Sequence, residues 1–254
     1  MTKPTTKALY DAHADAWSRA DRVLLSDFTA RPFVIQAVGP LAGAHVLDLG
    51  CGEGYVARLA AEAGAASVTG IDVSVEMVAR ARAAVPIQSA CRFRFEAGNA
   101  AEVSDYGRAS FDRVMAVFLF NYLTRAETGA VMAAVRKVMT PGGVFVFTVP
   151  HPCFPYMLAP AAPFFFQTGS QSYFDGVDTQ YEGRIWRRDG QDVPVRCIHK
   201  TFEDYFALMA EAGFRALPRV KELRVLSEHV ALDPSFFGPL EGYPLHVLFR
   251  LEAI

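Results

Sequence analysis

The chain has no Cys-x-x-Cys pair and no histidines clustered at zinc-ligand spacing. Its four cysteines, Cys51, Cys91, Cys153 and Cys197, lie far apart, which reads as a reduced, cytosolic chain without a structural metal. Neither sign of charge dominates. Twenty-five basic against 27 acidic residues give a formal net charge of −2, so no general polyanion-binding surface is expected. Long apolar runs are missing too: "MTKPTTKALYDAHADAW" holds no continuous apolar stretch, and "VMAVFLF" is far too short to cross a bilayer. The absence of a Gly-Lys-Ser/Thr triplet removes the usual cradle for a nucleoside triphosphate. No repeat or low-complexity linker breaks the 254 residues, 52% of them hydrophobic, into obvious parts.

What is present is alternation. From Ala44 to Pro150, strand-like and helix-like segments follow one another at short intervals. "AHVLDLG" reads as a strand, followed by Val56, Leu59, Ala60 and Ala63 at the spacing of one helical face. "ASVTGID" is a second strand, and Ser74 is placed to cap the helix "SVEMVARARAAV". "CRFRFEAG" alternates with period two, "SFDRVMAVFLF" is a near-continuous apolar strand, and Thr124 with Glu127 forms a capping-box pattern. "VFVFTVP" closes the series, which predicts a parallel sheet covered by helices on both faces. Residues 5 to 40 read as two preceding helices. Residues 151 to 195 lack a sustained period but hold nine aromatics between Phe154 and Trp186, which predicts an inserted lid or cap with short strands. A helix capped by Thr201 and two final strands complete the chain.

The sharpest motif is "VLDLGCGEGY", a strand running into Gly50, Gly52 and Gly54 with a helix starting at once. Such a loop turns tightly and points backbone N–H groups above the strand end. Tyr55 occupies the place of the third glycine in the dinucleotide fingerprint, which argues against a nicotinamide-dependent oxidoreductase. Asp72, at the end of the next strand, can accept both hydroxyls of a ribose.

Together these features resemble motifs I and II of class I S-adenosylmethionine-dependent methyltransferases. "EAGNAAEV", "FDRVMAVFLFNYL" and "PGGVFVFTV" resemble the family's adenine-contacting segment, fourth-strand motif and fifth strand. The resemblance implies one domain with a Rossmann-like, seven-stranded, mostly parallel sheet. It would comprise a helical cover (1–40), a cofactor-binding core (41–150), an aromatic-rich insertion after the fifth strand (151–198) and a C-terminal helix and strands (199–254). It also implies S-adenosylmethionine as cofactor, with S-adenosylhomocysteine as product. Asp48, Gly50, Cys51 and Gly52 would face the methionine portion, and Asp72 the ribose. Val73 and Met77 would cover the adenine, with Asn99 and Ala100 at its edge. Tyr55, Val117 and Phe118 would complete the wall, Phe118 near the sulfonium, under Tyr10 and Trp17 of the cover.

Ligands of open α/β sheets bind outside the carboxyl ends of the strands, which points to Tyr122 and His151 as neighbours of the methyl group. His151, between prolines in "VPHPCFP", is expected either to remove an acceptor proton or only to orient the acceptor. Phe154, Tyr173, Trp186 and His199 are further acceptor candidates, whether the insertion is lid or separate core. His13, His45, His229 and His246 read as positional. The acceptor expected is a small aromatic or heterocyclic metabolite, methylated on O, N or C, as in bacterial secondary metabolism. Neither a nucleic-acid nor a membrane partner is expected, and monomer and homodimer both stay open. A non-catalytic S-adenosylmethionine-binding protein is the other alternative.

Overall fold

The alternation between residues 44 and 150 builds the larger of two sheets in the computed structural model, which describes residues 5–19, 21–107 and 109–253. Among the described residues the strands are β1 (His45–Leu49), β2 (Ser67–Asp72), β3 (Arg92–Ala97), β4 (Phe111–Val117), β5 (Met139–Pro150), β6 (Phe164–Gln167), β7 (Gln180–Trp186), β8 (Asp192–Ile198), β9 (Arg219–Leu223) and β10 (His246–Glu252). Seven of them form one sheet in the order β3-β2-β1-β4-β5-β10-β9. β10 runs antiparallel to both neighbours; the other pairings are parallel. The Rossmann-like architecture expected from the sequence is the one observed.

Helices α1 (Thr6–Trp17), α2 (Leu25–Thr29) and α3 (Arg31–Val38) precede the sheet, so the cover has three helices rather than two. The break at Ala30 (φ −135°) separates a short α2 from α3, which local apolar periodicity alone does not resolve. Of the others, α4 (Tyr55–Glu62), α5 (Val75–Ala83) and α6 (Arg125–Val138) join parallel strands, and α7 (Phe202–Glu211) precedes β9. The caps follow the sequence. Ser74 accepts from the Met77 amide, and Thr124 and Glu127 satisfy each other's backbone N–H groups, relieving donors that a helix start leaves open.

β5 shows how the sheet divides its faces. Phe145, Phe147 and Val149 pack with residues of α6 and α7, such as Val135 and Tyr205, whereas Val144 and Val146 pack with Val34 and Val38 of α3. Successive strand side chains point to opposite faces, so the parity of a residue's number fixes which core it joins.

β6, β7 and β8 form a separate antiparallel sheet within the aromatic insertion. One face, including Phe164, Phe166 and Ile185, joins Trp17, Leu24 and Leu25 of the cover in a third core. Hydrogen bonds to backbone carbonyls of the cover reinforce this docking: the Arg188 amide donates to the Val23 carbonyl at 2.9 Å, and the Arg187 guanidinium to that of Ala16 at 2.8 Å. The insertion is therefore both a small core and a roof.

Candidate active site

At the carboxyl end of β1 the chain turns through Gly50 (φ 67°) and Gly52 (φ 55°), conformations that side-chain-bearing residues rarely adopt. The Gly50 and Cys51 amides donate to the Ile71 carbonyl at 2.8 and 3.1 Å, locking the loop to the end of β2. The Gly52 amide donates to Asp72 Oδ2 at 2.9 Å, and the Ser74 amide to Asp72 Oδ1 at 2.9 Å. Burial raises the Asp72 carboxyl above its ordinary pKa, and these two amides oppose that effect.

This loop forms one end of a cavity of about 390 Å³, within the range of small-molecule sites. Asp48 lies in its wall, 1% exposed, and its Oδ2 meets no hydrogen-bond partner among the described residues. Burial, then the nearby Asp72 charge, pushes its pKa up to about 8. A buried carboxyl with an open oxygen suits a cationic ligand group, whose charge would favour ionisation. Cys51 also lines the wall, but burial pushes its thiol pKa up, which does not suit a nucleophile.

Every residue assigned to the cofactor on sequence grounds lines this cavity. Met77 is buried at its floor, and the Tyr10 and Trp17 rings lie 5.5 Å apart in its cover. Tyr55 carries the Arg19 guanidinium 4.3 Å above its ring. Asn99 uses its Oδ1 to cap the following turn, accepting from the Ala101 amide at 3.0 Å. Phe118, directly after β4, has φ 59°, a strained conformation for a bulky residue and of a kind that recurs at functional sites.

The opposite end of the cavity differs from the sequence-based expectation. Tyr122 lies in the wall, edge-on to Tyr10 at 5.4 Å, and burial raises its pKa to about 12. His151 is not in the wall. Its Nε2 donates to Glu222 Oε1 at 2.9 Å, its Nδ1 accepts from the Cys153 amide at 3.2 Å, and its ring packs edge-on to Phe202. The cause is strand parity: His151 follows Phe147 and Val149 to the α7 face, and Pro150 takes the cavity side.

Phe154 stacks on Phe164 at 4.6 Å and lies behind the wall. Tyr173 and His199 pack together, with His199 Nε2 bonded to the Tyr173 carbonyl at 2.8 Å, and Trp186 packs on Phe165. None of these four reaches the cavity. Phe164, Phe166 and Ile185 provide the aromatic and aliphatic roof instead.

His246 is the residue that sequence reasoning missed. It opens β10, pairs in register with Pro150, lines the cavity and is 1% exposed. Neither ring nitrogen meets a hydrogen-bond partner among the described residues. Leaving a buried polar group unpaired costs about 1–3 kcal/mol, so this is an unusual imidazole. One signal was available: the last strand begins with His246 before an apolar run, and an antiparallel last strand starts at the carboxyl edge of its parallel neighbours. Arg31 was also missed. It faces the same region from α3, bonded to Ser26 and to Asp27 Oδ1 at 3.0 Å.

Residues 46–143 match the family model described as a methyltransferase domain. The fold agrees: the structure of an S-adenosylmethionine-dependent methyltransferase from Mesorhizobium loti superposes with a TM-score of 0.63 at 22% identity, covering 87% of this chain and 96% of that one. These similarities support a class I S-adenosylmethionine-dependent methyltransferase domain over residues 46–143. In fold the chain is also similar to magnesium protoporphyrin IX methyltransferase from Synechocystis, solved with bound SAH, with a TM-score of 0.62 at 15% identity, covering 98% of this chain and 97% of that one. Demethylmenaquinone methyltransferase from Tropheryma whipplei is 32% identical over 55% of this chain and 56% of its own. The chain spans about half the length of the curated relatives it matches.

Proposed function

We propose that the protein transfers the methyl group of S-adenosylmethionine to O, N or C of a small, flat, partly apolar metabolite, with an aromatic or heterocyclic compound of secondary metabolism as the preferred class. The observation that carries this reading is one continuous cavity, with the Asp72-locked glycine loop and Asp48 at one end and the roof of Phe164, Phe166 and Ile185 at the other. Ring-bearing acceptors also agree with relatives named for demethylmenaquinone and ubiquinone biosynthesis.

Asp72 would hold the ribose, and Asp48 with the loop around Gly50 and Gly52 the methionine end. Val73 and Met77 would flank the adenine, with Asn99 and Ala100 beside it. When bound, the cofactor supplies an already activated methyl group, so the protein's own task is alignment and exclusion of water. Val117, Phe118 and Tyr122 would set the acceptor beside the sulfonium, and α1 with the β6–β8 roof would close the space above it.

Calorimetry with S-adenosylhomocysteine and with NAD tests the reading. The expected result is binding of the former alone; binding of NAD alone would replace the methyltransferase reading with an oxidoreductase. Turnover of labelled S-adenosylmethionine against a panel of small aromatic metabolites then separates an enzyme from a binding protein.

A further inference from the structure

The half of the cavity away from Asp72 carries an electrostatic feature that methyl transfer alone does not require. α3 packs against β4, β5 and β10, and its first residue, Arg31, brings a guanidinium to the cavity with its side chain 11% exposed. That guanidinium lies 5.7 Å from the Phe118 ring centroid, and the His246 imidazole lies 4.9 Å from the same ring. Phe164 flanks His246 at 5.7 Å.

Two carboxylates near Arg31 are already shared. Asp27 accepts from Arg19 and Arg31 and from the Val23 and Leu24 amides, while Glu53 pairs with Arg19 and Arg58. Three guanidiniums, on Arg19, Arg31 and Arg58, against two carboxylates, on Asp27 and Glu53, leave one positive charge. His246 adds hydrogen-bonding capacity without a competing charge: burial, then the Arg31 charge, pushes its pKa down to about 3, so it stays neutral with one ring N–H to donate.

We propose, resting on the methyltransferase reading, that the methyl acceptor is a planar aromatic acid whose anionic oxygen is bound beside Phe118 by the Arg31 guanidinium and the His246 N–H. Both groups are buried, one is cationic and the other lacks a protein partner, which is how a site discriminates a charged acceptor from its neutral counterpart. Asp48 also feels the Arg31 charge, but burial keeps its carboxyl protonated up to about pH 8 in the free protein, and its open oxygen is assigned to the cationic end of the cofactor.

The test uses the full chain saturated with S-adenosylhomocysteine, titrated calorimetrically with benzoate, 2-naphthoate and indole-3-carboxylate, each against its neutral carboxamide. At least one acid is expected to bind roughly tenfold more tightly than its amide. His246→Leu should abolish that preference, and His246→Gln, which keeps an N–H donor, should retain most of it. Arg31→Gln should weaken the acid roughly tenfold while leaving S-adenosylhomocysteine affinity within about threefold. Equal or absent binding of acids and amides, an undiminished preference in His246→Leu, or an Arg31→Gln loss confined to S-adenosylhomocysteine would each overturn the proposal. Failure of the wild-type chain to bind S-adenosylhomocysteine would instead remove the methyltransferase reading beneath it.

Discussion

Asp72 holds the Gly52 amide at 2.9 Å through Oδ2, so the carboxylate proposed for the ribose also fixes the loop proposed for the methionine end. The two tasks are coupled, and removing the carboxylate should disturb both. Asp72→Ala is expected to weaken S-adenosylhomocysteine binding by at least about tenfold, or about 1.4 kcal/mol. Asp72→Asn, which keeps one acceptor oxygen, should fall between. Unchanged affinity in the alanine variant, measured by calorimetry, would exclude Asp72 from the ligand site.

Asp48, proposed to face the methionine end of the cofactor, should make cofactor affinity depend on pH. In the free protein its carboxyl holds a proton up to about pH 8, whereas a cationic sulfonium and ammonium nearby favour the ionised form. The complex therefore binds fewer protons than the free protein below that value. Affinity for S-adenosylmethionine should rise with pH, by up to about tenfold per unit, and level off above about pH 8. Asp48→Asn should flatten the profile; a wild-type profile already flat between about pH 6 and 8 would show that Asp48 does not face a cation.

His151, outside the cavity wall and bonded to Glu222 and the Cys153 amide, should act on stability. Burial lowers its pKa, so the folded state keeps it neutral while the unfolded chain takes up a proton below about pH 6.5. The unfolded state then binds more protons, and stability falls as pH drops from about 6.5 through the folded pKa. His151→Gln should remove part of this acid sensitivity, lower stability by about 1 kcal/mol at neutral pH and leave S-adenosylhomocysteine affinity unchanged. Denaturant titrations at neutral and mildly acidic pH check the first two effects. A large loss of ligand affinity with unaltered stability would return His151 to the site.

The contrast between His151 and His246 shows what the sequence could and could not convey. The glycine loop, Asp72 and the capping boxes are local signals, because each depends on residues within a few positions of one another. The cavity face is not local. It depends on β10 pairing antiparallel with β5, which sets His246 against Pro150 and puts Leu248 opposite Thr148, far away in the chain. Parity within "VFVFTVPH" was nevertheless legible: Phe145, Phe147, Val149 and His151 share one face, so the last could not follow Pro150 into the cavity. The aromatic insertion was harder: Trp186 packs with Phe165 on the far side of the small sheet, whereas Phe154 stacks behind Phe164 in the same core as Phe166, and spacing alone does not separate these cases.

That small sheet gives a way to separate roof from loop. Gly183 of β7 pairs with Phe166 of β6, and a Cβ there would collide with the Phe165 carbonyl and come within 2.6 Å of the Phe166 ring. Backbone cannot yield as a flexible side chain would, so Gly183→Ala must push β6 aside at about 1–3 kcal/mol. The displaced strand carries Phe164 and Phe166, which line the proposed acceptor half of the cavity, while Asp48, Asp72 and the glycine loop lie on the other sheet. The expected outcome is S-adenosylhomocysteine affinity within about threefold of wild type and acceptor-side affinity reduced by roughly tenfold or more. Paired titrations with S-adenosylhomocysteine and with an aromatic acid measure both. Equal losses at the two ends would mean that the roof and the loop form one cooperative unit instead of two separable halves of the site.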